Sequence, residues 1–133
     1  MSSHNIAVEQ TRITPRPETG EKAQTTVPDS GFYEVIIIGG GPAGISAGVY
    51  LSRKRTPTLL ISPDLGGQVL WTSNIENYPG YKVISGWELA QHFQEQLKQQ
   101  DITLKLGDKV VAIHPGKIGG TVITEQEGEY SYK

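Results

Sequence analysis

Cysteine is missing altogether from the 133 residues, which excludes a disulfide framework, a thiolate metal site and thiol redox chemistry carried by this chain's own side chains. An excess of one charge is missing too, since 12 Lys and Arg stand against 14 Asp and Glu for a formal net charge of -2. No strong field steers the chain onto nucleic acid or an anionic membrane surface, and neither is expected as a partner. No apolar run approaches the ~18 residues of a membrane span, and the N-terminus lacks the basic-then-apolar layout of a secretion signal. A cytoplasmic location is therefore expected. The three histidines, His4, His92 and His114, have no metal-ligand spacing among them and read as structural or solvated, so no metal is expected. There are no internal repeats, and no residue stands out as a general acid, base or nucleophile, so no catalytic residue is named.

What is present has room for about one domain with a buried core. Residues 1–31 are rich in Pro, Ser, Thr and charge without helical or strand periodicity, the composition of a disordered N-terminal tail. The rest, 32–133, reads as a single domain. Its first element is the apolar run Tyr33–Ile38, the pattern of a central strand buried on both faces of a parallel sheet. Residues 41–53 then carry Ala43, Ala47, Tyr50 and Leu51 at helical spacing and end in the basic cluster Arg53, Lys54 and Arg55, where positive charge suits a helix C-terminus. An apolar strand resumes over Thr56–Ser62 and completes a βαβ unit.

A long loop rich in Gly and Pro follows over Pro63–Gly86, with Trp71, Tyr78 and Tyr81 as candidate anchors into the core. Ser85-Gly86-Trp87-Glu88 is a capping box that opens an amphipathic helix with Leu89, Phe93 and Leu97 on its buried stripe. An alternating strand over residues 102–107 follows, and three further short strands, over 109–113, 121–124 and 129–133, close the sequence and suggest a small antiparallel meander. The last of them runs into Lys133 with no closing helix, which reads as a truncated fold.

Gly39, Gly41 and Gly44 form G-x-G-x-x-G between a predicted strand and a predicted helix. The first supplies a tight turn, the second lets a phosphate approach the backbone, and the third brings helix and strand together. The helix N-terminus then offers N–H groups and positive dipole to a pyrophosphate. Strand before, helix after and a second strand on schedule point to a dinucleotide site. The acid expected about 20 positions on, to bond a ribose hydroxyl, is not cleanly placed. Ser62 and Asp64 are the candidates, with a plain Ser-Pro-Asp turn as the alternative.

Three blocks, "GGGPAGISAGVYLSRK", "LGGQVLWTSNIENYPGY" and "ISGWELAQHFQEQL", resemble the start of the FAD domain of low-molecular-weight thioredoxin reductases and of the related flavoprotein subunit of alkyl hydroperoxide reductase. The resemblance covers about residues 33–133. It implies an α/β, Rossmann-like FAD/NAD(P)-binding three-layer fold with a small antiparallel β-meander, and FAD as cofactor. In that family Gly39, Gly41, Pro42, Ala43 and Gly44 match the segment that cradles the FAD pyrophosphate. Gly66, Gly67 and Gln68 match the loop against the flavin, Thr72 and Asn77 match positions reaching the polar edge of the isoalloxazine, and Val110 matches a strand residue whose backbone reads the adenine. Gln68 and Asn77 also suit that edge chemically, because each amide both donates and accepts. The resemblance further implies electrons passing from NADPH to FAD to a disulfide on a thioredoxin-like protein, in a homodimer. The NADPH site and a Cys-x-x-Cys pair would lie outside these residues. A ferredoxin or flavodoxin NADP reductase of the same fold, and a stand-alone nucleotide-binding module without catalysis, remain as alternatives.

Overall fold

The computed structural model describes residues 31–133. The expected tail falls outside the described residues except for Gly31, and His4 falls outside with it. The elements are β1 (Phe32–Tyr33), β2 (Val35–Ile38), α1 (Pro42–Arg53), β3 (Thr58–Ser62), a 3-10 helix (Gly67–Trp71), α2 (Gly86–Lys98), β4 (Thr103–Leu106), β5 (Val110–Pro115), β6 (Gly120–Thr124) and β7 (Glu129–Tyr132). The strands form two sheets. One is parallel, in the order β2-β3-β4, with Ile37 opposite Leu60 and Leu60 opposite Leu104. The other is the expected meander of β5, β6 and β7, extended by β1 running parallel to β7.

Alternation along β3 builds the three layers. Leu60 points to one face of the parallel sheet, where it packs with Ile37, Ile45, Leu65 and Leu97 beneath the two helices. Leu59 and Ile61 point to the other face and pack with Tyr33, Val122 and Tyr130 of the meander. Because both faces are covered, every residue of β3 is buried, as a parallel strand between layers requires.

Two expectations change. The run Tyr33–Ile38 is not one central strand: it breaks at the exposed Glu34, whose N–H donates to the Pro57 carbonyl at 2.9 Å. A charged residue at that point faces solvent while the chain crosses between sheets, so Tyr33 joins the meander and Val35–Ile38 the parallel sheet. The central, fully buried strand is β3, and β2 borders the sheet with Ile38 48% exposed. The buried face of α1 also differs, being centred on Ile45 and Gly48 with Leu51 half-buried, while Ala43, Ala47 and Tyr50 are exposed. Gly48 explains the rotation: a side chain there would meet Ile102 Cδ1 at 2.9 Å and Leu97 Cδ1 at 3.0 Å, so the glycine leaves room for these two side chains against α1.

Helix α2 lies where it is expected, but of the capping box only the Ser85 half forms, and the Glu88 side chain makes no hydrogen bond among the described residues. Ser85 Oγ accepts the Glu88 N–H at 3.2 Å, Leu89 and Leu97 are buried, and Phe93 is half-buried. The loop before it is more structured than its composition suggests, for it contains the 3-10 helix and an antiparallel bridge between Ile75 and Ile84. Its aromatics are not core anchors. Trp71 is 88% exposed, while Tyr78 meets Phe93 edge-on at 5.8 Å and Tyr81 stacks on the exposed His92 at 6.0 Å, both tyrosines keeping one side in solvent.

Candidate functional site

At the C-terminal end of the parallel sheet, β2 runs into the glycine corner and stops. Gly39 has φ +107°, a conformation that L side chains rarely adopt. A side chain on Gly44 would overlap the Gly39 carbonyl oxygen, so helix and turn approach as closely as the fingerprint requires. On the outer side the corner is open: a side chain built on Gly41 would meet nothing within 4 Å. Helix α1 begins there with Pro42 in its first turn, no side-chain cap and no acidic residue in that turn. The first N–H groups of a helix lack intrahelical partners, and together with the dipole they favour an anion.

A second glycine turn folds against the first. Gly66 and Gly67 both have positive φ, +127° and +58°, and a side chain on Gly67 would come within 3.2 Å of Gly41 Cα. The Gly66 N–H donates to the Gly40 carbonyl at 2.7 Å. Asp64 Oδ1 accepts the Gly67 N–H at 3.1 Å, and Ser62 Oγ accepts the Gly40 N–H at 2.8 Å. Behind this turn, Gln94 of α2 donates through Nε2 to the Leu65 carbonyl at 2.6 Å. The Gly86 N–H donates to the Thr72 carbonyl at 2.8 Å, and a side chain on Gly86 would overlap the Val69 carbonyl oxygen.

Of the residues nominated from sequence, Gly39, Gly41, Pro42, Ala43, Gly44, Ser62, Asp64, Gly66 and Gly67 thus lie around one corner. Gln68 and Thr72 flank it on the 3-10 helix and just after it, and Asn77 lies further along the loop. All three side chains are exposed and make no hydrogen bond among the described residues. Val110 opens β5 in the other sheet, but the chain reaches it from the corner, because the Gly107 N–H donates to the Ser62 carbonyl at 3.1 Å.

Gly40, Gln94 and Asp108 escaped the sequence reading, and Gly86 entered it only as part of the capping box. Gly40 occupies an x position of the fingerprint and was legible only as the middle of three glycines. Asp108 is 2% exposed, and its Oδ1 accepts the N–H groups of Lys109 at 2.8 Å and Gln126 at 3.2 Å. Burial is the largest influence on this carboxyl and acts to raise its pKa. The Thr124 hydroxyl, the two backbone N–H groups and the nearby Lys105 charge outweigh burial and hold it below the ordinary carboxylate value. The loop before Val110 is thereby tied to the turn between β6 and β7.

The family model of the pyridine nucleotide-disulphide oxidoreductases matches residues 33–133. The chain belongs to that family. Thioredoxin reductase of Bacillus subtilis strain 168 is similar to it, at 46% identity over 78 residues, which are 58% of this chain and 25% of that protein. A second relative, the NADH dehydrogenase of the same organism, is 43% identical over 70 residues, 53% of this chain and 14% of that protein. The crystal structure of Lactococcus lactis thioredoxin reductase superposes with a TM-score of 0.72 at 38% identity, covering 76% of this chain and 33% of that one. This pyridine nucleotide-disulphide oxidoreductase chain therefore spans a third or less of the length of these relatives and has the layered α/β fold of the thioredoxin reductases. The residues present fit the diphosphate of such a family's cofactor, because the glycine corner is open above Gly41 and faces an uncapped, acid-free helix N-terminus.

Proposed function

We propose that residues 32–133 are the FAD-binding part of a thioredoxin-reductase-like flavoprotein. The observation that carries this reading is the docking of the Gly66–Gly67 turn onto Gly41 at the uncapped start of α1, which puts a phosphate cradle and a second glycine-lined surface side by side. FAD, when bound, supplies the electron relay between NADPH and a disulfide on a thioredoxin-like protein. The chain's own residues bind and orient. Backbone N–H groups at Ala43 and Gly44 hold the pyrophosphate, with Gly39 and Gly41 keeping side chains out of its way. Gly66 and Gly67 would give the flavin a surface without side-chain obstruction, Gln68, Thr72 and Asn77 would offer donors and acceptors to its polar edge, and the Val110 backbone would meet the adenine.

Family membership implies oxidoreductase chemistry with flavin and nicotinamide. With no cysteine among 133 residues, disulfide reduction does not run through this chain's own thiols. The NADPH site, the acceptor, a homodimeric assembly and a cytoplasmic location are read from the thioredoxin reductase likeness; among the described residues no helix is long and apolar enough to cross a membrane. Likeness to the NADH dehydrogenase favours a second reading, in which the same flavin site delivers electrons to an acceptor other than a disulfide.

Equilibrium titration of flavin fluorescence tests the cofactor assignment. Saturable quenching of FAD by the 133-residue chain, weak and displaced by ADP, is the expected result. FAD fluorescence indifferent to the chain at every concentration removes the reading.

A further inference from the structure

Ser62 lies at the end of β3, 22 positions after Gly40, close to where dinucleotide-binding folds place the acid that bonds a ribose hydroxyl. Its side chain is engaged elsewhere. The hydroxyl oxygen accepts the Gly40 N–H at 2.8 Å in a buried bond, and the residue is only 5% exposed. The Gly40 carbonyl accepts in turn from Gly66 at 2.7 Å, so both peptide groups around Gly40 are held, one by β3 and one by the second glycine turn. No other residue fits at 40, since a side chain would overlap the Asp64 carbonyl oxygen and press on Leu65 Cδ2 at 2.9 Å. The strand of Ser62 is paired on both sides, with Ser62 opposite Leu106.

We propose that Ser62 is a positioning residue of the phosphate cradle, locking the glycine corner to the Gly66–Gly67 turn through Gly40, and that it does not bond the ribose. This rests on the FAD-binding reading for its consequence, though not for its geometry. A preset cradle meets the diphosphate without first having to order two loops, and the ordering cost that binding would otherwise carry is already met by folding. With Asp64 exposed and capping Gly67, the end of β3 holds no buried carboxylate to select a ribose diol.

The experiment compares Ser62→Ala and Ser62→Thr with the parent chain by amide hydrogen exchange and by titration with FAD, ADP and 2′-deoxy-ADP. Ser62→Ala leaves the Gly40 N–H without its buried acceptor, and exchange at Gly40 and Gly66 should rise together by about tenfold while the β6 and β7 amides stay unchanged. ADP and FAD should weaken by about tenfold, with the ratio of ADP to 2′-deoxy-ADP affinity preserved, and Ser62→Thr should restore both readouts. Unchanged exchange at Gly66 in Ser62→Ala overturns the coupling, and collapse of the ADP to 2′-deoxy-ADP ratio overturns it in favour of a ribose contact. If the parent chain binds neither FAD nor ADP, the cofactor reading falls while exchange at Gly40 and Gly66 still decides the lock. Should Ser62→Ala not fold, the parent chain decides: equal protection of the two amides supports the lock, and independent opening of Gly40 refutes it.

Discussion

Two glycine- and proline-bearing stretches carry the residues of the proposed site, and they are held in opposite ways. Around the corner, Gly40, Gly66 and Gly67 have their N–H groups assigned to Ser62, Gly40 and Asp64. From Thr72 to Val83 the chain is held by the Ile75–Ile84 bridge and by two tyrosine rings leaning on α2, while the side chains of Thr72 and Asn77 stand in solvent. The difference suits the two ends of the proposed ligand. A diphosphate is recognised by backbone N–H groups, which must be fixed before it arrives, whereas a flavin edge is met by amide and hydroxyl side chains that can turn to find it.

The strongest way to break this contrast is Gly40→Ala. The added methyl overlaps a backbone oxygen that cannot swing aside, and a loss of about 3 kcal/mol or more, read by chemical denaturation, is expected. Stability equal to the parent would show the corner to be as yielding as the loop. Asp108→Asn probes a second pinned place, and its effect depends on pH. The folded-state pKa of Asp108 lies below its ordinary 3.8, so the carboxylate's contribution is fully present above that value and is lost as pH falls through the lower folded value. Melting temperature should therefore drop by several degrees in the variant at pH 7, and the gap should close as both proteins are taken below pH 3.8. A gap that stays constant with pH would assign the loss to packing.

Ser85→Ala loosens the far end of the adaptable loop by removing the α2 cap, at a cost of about 1 kcal/mol. Denaturation midpoints measure it, and a loss as large as that of Gly40→Ala would erase the contrast. Asn77→Ala, the smallest in stability, should change it by less than about 0.5 kcal/mol and yet weaken FAD severalfold while leaving ADP affinity intact. Equal weakening of FAD and ADP would mean that Asn77 shapes the whole site and not the flavin edge alone.

How far the site could be read in advance differs between the same two stretches. Gly39, Gly41 and Gly44 were legible because each answers a local demand, a turn, an open approach or a tight helix contact, at fixed offsets from a strand and a helix. The α2 cap and the Leu89–Phe93–Leu97 stripe were legible for the same reason. Gly40, Gln94 and Asp108 were not, since each acts on a residue distant in sequence: Gln94 on Leu65, Asp108 on Gln126, Gly40 on Ser62 and Gly66. Ser62 was noticed for its position, but that position says nothing of the Gly40 N–H 22 residues earlier that its oxygen accepts in the fold. The loop aromatics misled because an aromatic side chain raises the odds of burial without naming what would cover it.

Sequence by itself determined the elements whose causes lie within one turn of chain: the apolar run of β3, the capped helix and the glycine turn between β2 and α1 on which the proposed site is built. The tertiary structure alone decided which strand is central, which face of α1 is buried and which N–H groups Ser62 and Asp64 accept. Those outcomes depend on close approach between segments far apart in the chain, such as Gly48 against Leu97 and Gly67 against Gly41. A local pattern specifies which face a side chain takes along its own element, but only packing specifies what stands opposite it.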